Sequence, residues 1–578
     1  MAARLTTYAV VAIVAATLIA GLIVGAQRDD SQGPVDLIVF NAKVYTADGS
    51  GTMAEAVAIR GNQVLRVGTD REVERLRRPQ TVMVDARGGA VLPGFNDSRV
   101  QFMAGALTLD SADLAGAATV DEVQARIRAW AEANPLKSWV VGRGWAPEAF
   151  AHGRPTRQLL DAAVPDRPAY MLSADGRAAW VNTNALRLAG VTRQTATPAD
   201  GTIEKDPRTG EPSGVLRASA AALAARLVPA PTPADRAQAL RSAISEAHRN
   251  GVTSVQDANV APGNFALYEE ARAAGDLKLR IYASVAVGAE AIADGFSTLD
   301  ALSRKYPDDP LFKVGGAHIA LDGPGESSEA ALLAREGAAP AVSTGETAIG
   351  ADELNRLVRL LDARDWQVTI DAFGDRAVRM ALYAYEHAAR SNAESPRGRR
   401  HRIEHLAPLH PDDLPRVGAL GIVAVLHPFE RGPATAQVDG AVHDVDNDRI
   451  AHSWPAASIA AAKGRLTFAS GWPAAALNPL AAIAEAVNGP EAGAAEKDSA
   501  TSGAIALEQA VDAFTRTPAY ASFDDQRKGS LAPGMLADLV VLSNDIFAGP
   551  VSQISSTTVA VTIFDGKIVY RLAATPTD

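Results

Sequence analysis

Apolar and polar positions alternate in short runs at both ends of the chain. The middle instead alternates apolar runs with stretches of helical spacing. Near the start the pattern predicts strands over Asp36–Asn41, Lys43–Thr46, Ala56–Arg60, Gln63–Gly68 and Thr81–Asp85. Gly61-Asn62 reads as a hairpin turn. A matching group falls near the other end, at Asp538–Leu542, Val559–Phe564 and Lys567–Tyr570, with a turn at Asp565-Gly566. These strand-rich ends predict one small composite β-sandwich built from residues 35–90 and 525–578.

Between them, apolar strands are expected at Ser254–Gln256, Leu279–Val287, Gly315–Leu321, Gln367–Ala372, His401–His405, Ile422–His427 and Arg465–Ala469. Helical spacing covers Asp352–Arg364 and Arg376–Arg390. A further helix should start at Thr232, with Pro233 in its first turn, and stop at Gly251. Repeated β/α units of this length imply a parallel sheet. Over residues 91–524 the best fit is α/β: a (β/α)8 TIM-like barrel with insertions. Asn488–Ala504, rich in Gly, Ala and Glu, is expected to be a surface loop.

One segment breaks both patterns. Leu5 to Ala26 carries no charge over 22 residues, with Arg4 before it and Arg28, Asp29 and Asp30 after it. That is long enough for an N-terminal transmembrane helix. Residues 1–34 are therefore read as a signal-anchor and linker, with the body outside the cytoplasm on the periplasmic or extracellular side. The alternative is secretion after cleavage at Val24-Gly25-Ala26, although the run exceeds the roughly 7–15 residues of a signal core.

Composition narrows the chemistry. The 578 residues include no cysteine, which excludes a zinc–thiolate centre and a cysteine nucleophile. A net charge of −11 argues against nucleic acid as a partner. No Gly-x-Ser-x-Gly elbow or phosphate loop appears.

The segment VLPGFNDSRVQF from Val91 resembles the amidohydrolase superfamily. So do WVVGRGW (Trp139–Trp145), RPAYMLSADGRAAWVN (Arg167–Asn182), HIALDG (His318–Gly323), DAFGDRAV (Asp371–Val378), RHRIEHL (Arg400–Leu406) and KGSLAPGMLADLVVL (Lys528–Leu542). In this order they are similar to the branch containing N-substituted formamide deformylases, over about Val35 to Tyr570. The resemblance implies a metal-dependent C–N hydrolase whose ions sit at the C-terminal mouth of the barrel. It also implies ligand positions at a His-x-His pair, a mid-barrel Lys or acid, two later His and a final Asp. Here those positions hold Arg99 and Gln101, His318, Asp371 and His405, and Gly471. A further His of the family's substrate region corresponds to Arg177. Only His405 is retained.

Two readings follow. In the first, Arg99 pairs with Asp371 across the mouth and takes the place of a metal. A guanidinium 4 Å from a divalent ion costs roughly 8 kcal/mol at an effective dielectric of 20. The protein is then catalytically degenerate, with no assigned catalytic residue and no cofactor. It keeps a small-molecule pocket or an interaction role at the membrane, with Arg99, Gln101, Arg177 and His427 as ligand-binding candidates. In the second, His318, Asp371 and His405 hold one zinc, manganese or iron ion in a facial arrangement, with His427 as a fourth partner. The protein is then an active amide or N-formyl hydrolase; metal-free chemistry in the same pocket is a variant of that reading. A protein partner or a second copy is left open.

Asp257 and Asp322, at strand ends, are expected to cap loops. His401 should share a face with His405 but lie deeper, while His152, His248, His387, His410, His443 and His452 are expected to be solvated.

Overall fold

The computed structural model describes residues 35–174, 176–323, 330–333, 345–430, 452, 454–488 and 503–573. The expected spanning segment lies outside the described residues, as do His443 and most of the expected loop at 488–504. Among the described residues no helix is long and apolar enough to cross a membrane.

Eight parallel strands form the central sheet: β8 (Phe95–Val100), β15 (Val252–Asp257), β16 (Arg280–Ala286), β17 (Phe312–Ala320), β18 (Gln367–Ala372), β19 (Arg402–His405), β20 (Val423–Leu426) and β21 (Arg465–Phe468). They pair in sequence order from β8 to β21. The ring closes through the segments just beyond β8 and β21. Gly471 N–H donates to the Arg99 carbonyl at 3.1 Å, and Gln101 N–H to the Trp472 carbonyl at 2.8 Å. The result is a nearly closed α/β barrel.

Alternation along each strand separates inside from outside. In β18, Val368, Ile370 and Ala372 join the main apolar core with Leu354, Leu357 and Leu361 of the helix Ala351–Asp362. Val378, Leu382 and Tyr385 of the helix Asp375–Ser391 complete that layer. Gln367, Thr369 and Asp371 have the opposite parity and fill the barrel, where they are buried.

The helix expected from Thr232 spans Pro233–Arg249. Thr232 Oγ1 accepts from Asp235 N–H at 3.1 Å, and the Asp235 carboxylate accepts from Thr232 N–H at 3.0 Å. This reciprocal cap satisfies donors that have no partner within the helix. Thr232→Ala is expected to cost about 1 kcal/mol, measurable as a lower urea midpoint with an unchanged slope.

Both ends of the chain meet in two packed sheets. One has the order β5-β4-β1-β6, from β1 (Leu37–Phe40), β4 (Ala56–Arg60), β5 (Gln63–Gly68) and β6 (Val82–Asp85). The other joins β2 (Lys43–Tyr45), β3 (Met53–Ala54) and β7 (Ala90–Pro93) to β22 (Leu539–Leu542), β23 (Val559–Phe564) and β24 (Lys567–Arg571). Val39, Val57 and Ile59 share one core with Val91, Leu539 and Val561. The two expected hairpins are present, pairing Arg60 with Gln63 and Phe564 with Lys567. Asp565 and Gly566 both have positive φ, as a primed turn requires.

Buried ion pairs tie this unit to the N-terminal ends of the barrel strands. Arg280 at the start of β16 reaches Asp538 at 2.9 Å and Asp565 at 3.0 Å, and Lys313 near the start of β17 reaches Asp524 at 2.7 Å.

The barrel segment holds more than the pattern suggested. Between β8 and β15 the chain builds a separate mixed sheet from β9 (Ala112–Asp113), β10 (Val140–Trp145), β11 (Ala169–Ser173), β12 (Ala178–Val181), β13 (Gly201–Lys205) and β14 (Pro212–Ala218). It has its own core around Trp145, Phe150 and Trp180. The motifs WVVGRGW and RPAYMLS are strands of this insert, not of the barrel.

Candidate functional site

At the C-terminal end of the barrel, β17, β18 and β19 bring three ionisable side chains together. His318 Nε2 lies 3.0 Å from Asp371 Oδ1 and 3.8 Å from Glu404 Oε2. One ligand atom from each of the three falls within 4.8 Å of the others, and all three residues are buried. Arg99, at the C-terminal end of β8, enters from across the barrel. Its Nε is 2.7 Å from Glu404 Oε2, and its Nη2 is 3.6 Å from Asp371 Oδ2. The expected Arg99–Asp371 pair is therefore present, with Glu404 as the nearer carboxylate.

A second guanidinium lies beneath. Arg402 is buried inside the barrel and donates to Glu404 Oε1 at 3.0 Å, to Gln256 Oε1 and to the Ser98 carbonyl. Two carboxylates are thus held among two guanidiniums and an imidazole.

These charges shift one another. Burial alone would lower the His318 pKa, but the charge and hydrogen bond of Asp371, with Glu404 behind them, raise it to about 9. Burial would raise Asp371, but the His318 charge and hydrogen bond, together with Arg99, hold it well below the usual carboxylate range. Glu404 is lowered too: His318, Arg402 and Arg99 outweigh its burial and the repulsion of Asp371. At neutral pH the set is a cationic imidazole, two carboxylates and two guanidiniums.

Of the expected triplet, His318 and Asp371 meet, and Glu404 takes the third place. The register explains it. Asp371 is the cross-strand partner of Glu404, and Ala372 that of His405. In β19 Ile403 joins the outer core, so Arg402 and Glu404 share the inward parity. His405 ends the strand with φ +66°, out of the alternation. Its ring stacks between Phe373, centroids 3.7 Å apart, and His427, centroids 4.4 Å apart. The Arg-Ile-Glu-His alternation was the signal that would have found Glu404.

Gln101 is exposed at the start of the helix Phe102–Thr108 and offers it no side-chain cap. Arg177 is exposed in the turn between β11 and β12 of the insert. Neither joins the cluster. Gly471, in its left-handed conformation, contributes backbone to barrel closure.

Asp257 and Asp322 do cap loops. Asp257 accepts from Phe102 N–H at 2.8 Å and Tyr268 O–H at 2.6 Å. Asp322 accepts from the backbone N–H groups of Ala331, Phe373 and Gly374. His401 does not lie beneath His405. It points outward, stacks on Tyr385 and lies 3.1 Å from Asp362. His248 is buried rather than solvated, its Nε2 2.7 Å from the Lys278 carbonyl.

Residues 82–570 match the amidohydrolase family. The chain belongs to that family. This amidohydrolase is 29% identical to Protein LONG AFTER FAR-RED 3 of Arabidopsis thaliana, over 93% of this chain and 91% of that one. It is 28% identical to the N-substituted formamide deformylase of Arthrobacter pascens, over 93% and 98%. Among solved structures it is similar to an uncharacterized metal-dependent hydrolase from Pyrococcus furiosus. There the TM-score is 0.66 at 21% identity, covering 87% of this amidohydrolase and 97% of that chain. At that identity the likeness speaks for the fold alone, since function is carried by the site.

Proposed function

We propose that this amidohydrolase has exchanged the family's metal chemistry for an ion-paired barrel mouth. It binds a small-molecule ligand there, and the N-terminal apolar run holds it at a membrane. The observation that carries this reading is the position of Arg99, its guanidinium 2.7 Å from Glu404 and 3.6 Å from Asp371. A divalent ion on the same carboxylates would face that fixed cation. It would also need His318 as a neutral ligand, while its two carboxylate neighbours keep it protonated. As arranged, the trio does not fit a resident divalent ion.

The second reading is an amide or N-formyl hydrolase with a single rearranged metal. It draws support from the approach of His318, Asp371 and Glu404 to within 4.8 Å, and it requires Arg99 to swing away. Elemental mass spectrometry of the full chain after exposure to zinc, manganese and iron separates the two. The ion-paired mouth should retain less than about a tenth of an equivalent of metal, given roughly 8 kcal/mol of opposing Coulomb energy. Near-stoichiometric metal in the wild type, lost in Glu404→Gln, would establish the metallohydrolase instead.

A further inference from the structure

The arginines near the chain's entry into the sandwich do not take part in the barrel's chemistry. We propose that this face is a docking surface for an anionic lipid bilayer. The inference rests on reading residues 5–26 as a retained anchor, and it adds which part of the folded body meets the lipid.

Connectivity is the first argument. The uncharged run ends at Ala26, and the described structure starts at Val35. The eight residues between them span at most about 28 Å when fully extended. An anchor in the bilayer therefore keeps Val35 close to the surface.

Local structure then determines what accompanies Val35. Its carbonyl accepts from Thr81 Oγ1 at 2.7 Å, and the Asp36 carbonyl accepts from Val82 N–H at 2.8 Å. Thr81 Oγ1 also accepts from Arg78 N–H at 2.9 Å. The strands β1 and β6 run parallel with Leu37 opposite Val82, so both begin at this end. The chain thus enters beside the helix Asp70–Glu74 and the turn that follows it. That stretch carries Arg71, Arg75, Arg77 and Arg78, all exposed. Strand β6 is an edge of its sheet, and Val82 at its start is 48% exposed.

Charge is the second argument. The whole protein carries −11, so a clean bilayer contact needs a local exception. The neighbouring acids are largely engaged within the fold. Asp70 accepts from Asn41 N–H, Glu72 caps its own helix and pairs with Arg66, and Asp85 accepts from Asn41 Nδ2 and Arg87 N–H. Asp36 accepts from Gly61 N–H and Glu55 from Asp70 N–H, which leaves Glu74 among the described acids around this end; Asp29 and Asp30 of the preceding linker are acidic as well. Among the described residues, none of the four arginines has a carboxylate within ion-pair distance. Exposed arginines in the helix and turn just before an exposed edge-strand valine suit a surface of anionic headgroups, where basic side chains are attracted and a short apolar side chain enters the interface.

The absence of cysteine makes the test direct. Full-length Val82→Cys carries an environment-sensitive fluorophore, and the protein is reconstituted into phosphatidylcholine vesicles with or without phosphatidylglycerol. A quencher attached at headgroup depth reports contact. Leu136→Cys, at a position 98% exposed, is the comparator. With phosphatidylglycerol present, quenching at position 82 should exceed that at 136 by at least about threefold. It should fall to the comparator's level in phosphatidylcholine alone, and in the triple variant Arg75→Glu, Arg77→Glu, Arg78→Glu. Equal quenching at the two positions overturns the proposal, as does quenching that ignores both lipid charge and charge reversal. Flotation of the same vesicles separates the two levels. Protein that floats without position-82 contact retains its anchor and loses only this surface. Protein that does not float has no retained anchor, and the docking surface falls with it.

Discussion

Arg99→Ala should lose about 3–5 kcal/mol of folding stability at neutral pH, the usual consequence of removing one partner from a buried ion pair. The side chain is 13% exposed and is shared by two carboxylates, both almost sealed from solvent. Without it, Asp371 keeps His318 and Glu404 keeps Arg402, but the charge across the barrel mouth is gone. The deficit should depend on pH. In the wild type, Asp371 and Glu404 titrate below their ordinary values of 3.8 and 4.5. Their pairing contributes stability above those values, and that contribution is lost as pH falls through the depressed ones. In the variant, burial is less opposed and both carboxyls move up. Its stability therefore falls less on acidification, and the gap to wild type should narrow as pH falls from 4.5 towards 3. Urea denaturation at the two pH values measures this. A loss below about 1 kcal/mol at pH 7, the range of a surface pair, would mean that Arg99 is not the partner its geometry implies. Arg99→Lys should fall between, because an ammonium cannot bridge two carboxylates as a planar fork does.

His318 should give a pH signature of opposite sign. Its folded pKa is raised to about 9 from 6.5. A raised pKa means that the contribution is complete below 6.5 and is lost as pH rises through about 9. A shift of that size corresponds to about 2–4 kcal/mol. His318→Gln should therefore be less stable than wild type by that amount at pH 6 and nearly equal to it at pH 9.5. The comparison must be made between the two proteins at each pH. Lys528, buried at the floor of the barrel, is lowered to about 8 from 10.5, chiefly by desolvation. It works the other way: wild-type stability gains from its deprotonation over roughly pH 8–10.5. The difference between variant and wild type cancels that contribution. A difference that stays constant from pH 6 to 9.5 would show that His318 is neutral in the fold, and would restore it as a metal ligand.

Much of the architecture could be read from local pattern. The hairpins at Gly61-Asn62 and Asp565-Gly566, the helix capped by Thr232 and all seven expected middle strands have counterparts in the structure. The opposition of Arg99 and Asp371 was also legible, because both stand at strand ends on the same rim of a barrel. The insert sheet was not. WVVGRGW and RPAYMLS were legible as family motifs, but nothing in their spacing tells that they build a sheet of their own. That depends on partners far away in the chain.

The site divides along the same line. A strand's period of two is local, so Arg402-Ile403-Glu404 already places both charged residues on one face. Which face turns inward is settled by the outer layer of helices, which takes Ile403 into the main core. His405 falls outside the rule because it ends the strand in a left-handed conformation with its ring packed between Phe373 and His427. The sequence by itself determined the family and the barrel, and it singled out Arg99, His318, Asp371 and His405 as residues of the barrel mouth. Only the tertiary structure decided which charges meet. In the eight-strand order β18 stands four places from β8, directly across the barrel. Closure of the ring brings Arg99 within reach of Asp371 and Glu404, a contact that depends on the curvature of the whole sheet and leaves no periodic trace in the chain.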